Sequence, residues 1–61
     1  MTRKQALAVI TAGVAEEGKM TARLIGVYCE NRISLAAMQE AADRGLAIFQ
    51  KRQQGKTDFE K

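Results

Sequence analysis

Ser34-Leu35-Ala36-Ala37-Met38-Gln39-Glu40-Ala41-Ala42-Asp43-Arg44-Gly45-Leu46-Ala47-Ile48-Phe49 is the stretch from which the fold can be read. At about 100° per residue, Leu35, Met38, Ala42, Gly45, Leu46 and Phe49 fall within about 100° of one another, and Ala41 and Ile48 widen that face. Gln39, Glu40, Asp43, Arg44, Gln50 and Lys51 lie opposite. Ser34 is placed to cap the backbone N–H groups of the first turn, and Ile33 and Met38 occupy the two positions of a hydrophobic staple. Glu40 and Arg44 form a favourable i, i+4 pair. The pattern predicts a helix over 35–54, ended by Gly55, with 56–61 as a short polar tail after a helical domain over 1–55.

Working outward, Glu30-Asn31-Arg32-Ile33 reads as a short turn, preceded by a helix over 22–31 with Thr21 as its N-cap. Leu24, Ile25, Tyr28 and Cys29 fall on one face of it. Val27 lies off that stripe. A first helix over 3–17 opens at Thr2, whose capping box is completed by Gln5, and closes at Gly18. Leu7, Ile10 and Val14 follow at i, i+3 and i+7, with Ala6, Thr11 and Gly13 beside them. Val9 lies about 100° from Ile10, off the stripe. Its end charges oppose the helix dipole: Arg3 and Lys4 sit at the positive end, Glu16 and Glu17 at the negative end. Sustained alternation and Asn-Gly or Asp-Gly turns are missing, so strands are not expected. The fold class is all-α, a three-helix single domain.

Composition limits how well such a domain can stand alone. Leu, Ile, Val and Phe together number 13 of 61 residues, while Ala supplies another 10 and buries little area at each position. A domain of this size buries only about 60% of its unfolded surface. The third helix, about 30 Å long, also outreaches the other two, at about 22 Å and 15 Å. These mismatches predict a homodimer whose interface includes Leu46, Ile48 and Phe49, since two-fold dimers are the commonest closed assembly.

The chemistry available is narrow. With no His and one Cys, an internal disulfide, a Cys/His zinc site and His-based acid–base catalysis are excluded. A reactive thiol needs a nearby cation or a helix N-terminus. Cys29 instead sits near a helix C-terminus beside Glu30, so a buried structural role is expected. Glu16 and Glu17 are neighbours and diverge by about 100°, so they cannot work as a catalytic pair. The five glycines match no phosphate-binding loop. No enzymatic activity, cofactor, metal or small-molecule substrate is expected.

Net charge is +3, a weak basic bias. Arg44, Lys51, Arg52 and Lys56 form a loose basic strip that could contact phosphate, but no aromatic is interleaved with them. The two helices around residues 30–33 could form a DNA-binding helix-turn-helix. The fit is poor: Val27 and Glu30 occupy slots for a small and an apolar residue. The exposed start of the third helix offers Gln39 as a base reader beside Glu40 and Asp43. Protein binding is therefore the expected function, with a small DNA-binding regulator as the alternative. Val9 and Val27, unneeded by the expected core, are the candidate contacts for a partner protein.

Met1-Thr2-Arg3-Lys4 followed by the uncharged run Ala6–Ala15 has the form of a secretory signal. Cleavage after Ala15 would leave a short chain with one cysteine, so the segment is expected to stay as the first helix. No run reaches the ~18 apolar residues that span a membrane. A lone cysteine suits a reducing compartment, and a cytoplasmic location is expected. The opening Met1-Thr2-Arg3-Lys4-Gln5-Ala6-Leu7, with the compact all-helical plan, resembles short accessory proteins of bacteriophages and mobile elements. That resemblance implies an intracellular regulator, or a modulator of a host protein, that acts by binding.

Overall fold

A computed structural model describes residues 1–60, with side chains described through Gly55. Three helices follow one another: α1 (Arg3–Glu17), α2 (Ala22–Glu30) and α3 (Leu35–Glu60). The described residues form no strand.

Capping decides where each helix starts. Thr2 Oγ1 accepts from the Gln5 backbone N–H at 3.1 Å, and Gln5 Oε1 accepts from the Thr2 N–H at 2.9 Å, which completes the expected capping box. Thr21 Oγ1 accepts from the Leu24 N–H, and Ser34 Oγ from the Ala37 N–H. Each satisfies a donor that the first turn of a helix leaves unpaired. Gly18 ends α1 in the left-handed conformation at φ 78°, its N–H donating to the Val14 carbonyl at 2.7 Å. The link between α2 and α3 takes its bend at Arg32, φ 51°.

Gly55 does not end the third helix, which continues to Glu60. The two glycines differ in their surroundings. A Cβ on Gly18 would lie 2.7 Å from the Phe49 ring, so packing holds the chain in its turn there; a Cβ on Gly55 would meet nothing. A helical glycine costs only about 1 kcal/mol, and no proline follows to stop the helix. The expected tail at 56–61 is thus helical to residue 60; its side chains, including Lys56 and Phe59, lie outside the described residues.

Helix α1 is the centre of the fold. It packs along α3 and against α2, while α2 touches α3 only slightly. Gly45 meets Thr11 and Val14, and Phe49 meets Gly18, so α1 and α3 run in the same direction. Beyond Phe49, α3 runs on past the end of α1, and the molecule measures 44 × 18 × 16 Å. The core is thin: Ala6, Ile10, Val14, Leu24, Ile33 and Ala41 form the buried cluster. Among the described residues, only Ile10 and Leu24 are large side chains with no exposed area.

Several positions differ from the sequence expectation. Val9 and Val27 are half-buried and pack against the core cluster. Ile25 is 49% exposed and Cys29 is exposed, so the thiol is not a core group. The cause is the rotation of α2: it turns Leu24, Val27 and Tyr28 toward α1, leaving Ile25 and Cys29 on the outer edge. Leu35, expected on the apolar face of α3, is 57% exposed, and Ile33 in the preceding turn fills the core in its place.

Candidate functional site

Two stretches of small residues let α1 approach its neighbours closely. A Cβ placed on Gly45 would lie 2.5 Å from the Thr11 carbonyl oxygen and 2.7 Å from Val14 Cβ, so α3 rests almost directly on the α1 backbone there. On another side of α1, Gly13 receives the Leu24 side chain, whose Cδ2 would lie 2.6 Å from a Cβ at that position.

The close α1–α3 seam opens into a groove on the side of α1 away from α2. It has a volume of about 860 Å³. Ala8, Thr11 and Ala12 line it from α1, and Ala37, Ala41 and Ile48 from α3. Ala8 lies about 140° around α1 from Gly13, which faces α2. The Thr11 hydroxyl donates to the Leu7 carbonyl at 2.9 Å, so the one polar side chain of the floor has its hydrogen already satisfied. Lys4 and Glu16 stand at the two ends of the α1 wall, and Glu40, Arg44 and Arg52 along α3.

The sequence-predicted contacts divide among different surfaces. Ile48 lines the groove. Phe49 is half-buried over Gly18, and Leu46 is 37% exposed. Leu46 and Ile48 stand two residues apart, which on a helix is about 160° around the axis, so one flat interface cannot take both. In the basic strip, Arg44 donates to Glu40 Oε1 at 2.8 Å, and Arg44 and Arg52 edge the groove. Lys51 is exposed, and Lys56 lies outside the described residues. At the start of α3, Gln39, Glu40 and Asp43 are exposed together, so a phosphate approaching there would meet two carboxylates.

Among the described residues, no three His, Cys, Asp or Glu side chains cluster as metal ligands would, and no helix is long and apolar enough to cross a membrane. The groove residues Ala8, Ala12 and Ala37 were not singled out by sequence reasoning. The available signal was the run Ala6–Ala15, which carries no charge on any side of α1, whereas a helix with one solvated face shows polar residues there. No protein-family model, curated protein or solved structure matches the chain.

Proposed function

We propose that this chain is a small non-catalytic protein-interaction module, a regulatory or accessory protein that docks a helix of another polypeptide in the α1/α3 groove. One observation carries the reading. Between Ala6 and Ala15 helix α1 is uncharged on every side, yet the described residues cover only two of those sides, with α2 and with α3. Helices apolar all round are ordinarily surrounded by protein. The alanine floor suits a helix in particular, because small side chains permit close approach along a whole face.

The reading is tested by Ala8→Arg. Ala8 is exposed, so the change leaves the core intact while filling the groove with a charged side chain. Capture of a partner protein by the tagged chain is expected to be lost with helicity unchanged, while Arg23→Ala on α2 leaves capture intact. Retention of the same partner by Ala8→Arg overturns the groove as the site. Binding to duplex DNA that weakens steeply with salt, and is lost in Arg44→Glu with Lys51→Glu, would replace this reading with the DNA-binding one.

A further inference from the structure

We infer that the outer face of α2, on the far side of the molecule from the groove, seats a second copy of this chain, the two α2 helices packing antiparallel with Arg23 of each copy beside Glu30 of the other.

Helix α2 has two apolar faces, and the described residues cover one of them. Leu24, Val27 and Tyr28 turn toward α1 and the core. On the other side, Ala22, Ile25, Gly26 and Cys29 are all exposed. Measured round the helix from Gly26, Ala22, Cys29 and Ile25 lie about 40°, 60° and 100° away on one flank, and Arg23 and Glu30 about 60° and 40° away on the other. Leu24 points about 160° away, which puts α1 behind this face. Helix α3 barely touches α2. The charges bordering the face are therefore those of α2 itself. Lys19 and Arg32, the next charges in the chain, fall beyond its two ends.

Charge complementarity selects the occupant. Arg23 stands in the first turn of α2 and Glu30 is its last residue, each at the end where the helix dipole disfavours it. Neither forms an ion pair with a described residue; the pair formed among these is Glu40–Arg44. The two are seven residues apart, two turns less about 20°, so they share a flank and stand about 5 Å above and below the midpoint between Gly26 and Val27. A two-fold axis normal to the plane of two side-by-side helices reverses height and leaves every residue on its own flank. With the axis at that midpoint, Arg23 of one copy comes level with Glu30 of the other on the same flank, and the pairing is made twice. The two Ile25 side chains meet on the opposite flank. Gly26 lies at the centre. A Cβ there would meet no described atom within 4 Å, whereas at Gly13 and Gly45 it would strike a neighbour. A second copy gives this helix-interior glycine the close approach that its own chain does not. In a parallel pair the flanks exchange, and Arg23 and Glu30 meet no opposite charge.

The test is sedimentation equilibrium of the full chain under reducing conditions, from micromolar to millimolar concentration. A nine-residue helix buries less than the ~800 Å² per partner of a standard interface, so a dissociation constant of about 0.1–1 mM is expected. The native mass should rise from 6.7 kDa toward twice that value over this range. Ile25→Glu, on an exposed position, should hold the mass at 6.7 kDa with helicity unchanged. Arg23→Glu and Glu30→Arg each place two like-charge pairs in the seam and should weaken dimerisation about tenfold, as the loss of two exposed ion pairs would. The two exchanges together should restore it to within a few-fold. Gly26→Ala should weaken dimerisation while raising the thermal midpoint of the dilute chain, because alanine is the better helix former. A mass of 6.7 kDa up to millimolar concentration, or a dimer indifferent to Ile25→Glu, overturns the inference. A dimer that the double exchange fails to restore overturns the antiparallel pairing. The groove is judged separately, because Ala8→Arg should leave the mass of the native dimer unchanged, and Ile25→Glu should leave capture of a different protein intact.

Discussion

Gly13 and Gly45 are both buried in helix interiors, and each marks a place where α1 meets a neighbour, but they do so in different ways. At Gly13 a glycine of α1 makes a hollow for one side chain, Leu24 of α2. At Gly45 a glycine of α3 comes down on the α1 backbone itself, beside the Thr11 carbonyl and the Ala15 N–H. The first contact is a side chain in a socket and can relax by a rotamer change. The second is between two helix backbones, and relief requires a whole helix to move. The α1–α2 joint therefore depends on one large side chain, whereas the α1–α3 joint depends on the absence of side chains over a longer seam.

The largest expected effect breaks the first joint. Leu24→Ala should destabilise by about 2–5 kcal/mol, because a fully buried leucine leaves a cavity. Against a total of about 3–9 kcal/mol for a chain of this length, that change should approach complete unfolding. Urea denaturation followed by circular dichroism gives the value. Adding Gly13→Ala to Leu24→Ala should recover part of the loss, since the new methyl group enters the vacated socket. Strict additivity of the two changes would mean that Leu24 does not occupy the Gly13 hollow.

Gly45→Ala sharpens the contrast. Its Cβ has no room, so a destabilisation of about 1–3 kcal/mol is expected despite the better helix propensity of alanine. Gly13→Ala alone should cost less, because the Leu24 side chain can shift. If Gly45→Ala raises the thermal midpoint, the close α1–α3 seam is wrong.

Gly18→Ala comes next, at about 1–2 kcal/mol, the cost of a left-handed residue with a side chain. The matching change Gly55→Ala should instead stabilise modestly, because that glycine lies in a helix with open space around it. Equal effects at the two positions would show that packing does not distinguish them. The smallest of the four is Ser34→Ala, about 1 kcal/mol from the loss of the acceptor for the Ala37 N–H, with Gln39→Ala close to neutral. A matching shift in thermal midpoint for both would place the start of α3 elsewhere.

The starts of all three helices, the end of α1 and the end of α2 to within one residue were legible in the sequence. Caps are local chemistry: Thr2, Thr21 and Ser34 each reach an N–H three residues away, and Gln5 returns the bond to Thr2. The apolar periodicity of α1 likewise determined that Ile10 and Val14 face inward. Which face of α2 is buried was not legible, because nine residues offer two overlapping apolar stripes and only the position of α1 selects Val27 over Ile25 and Cys29. The contrast between Gly18 and Gly55 was hidden for the same reason, since one lies under the Phe49 ring and the other under nothing. The groove was half legible. The uncharged run Ala6–Ala15 and the inverted end charges are properties of the sequence. That Ala37, Ala41 and Ile48 form the opposite wall follows only from the docking of α3 on α1, which residues far apart in the chain decide together.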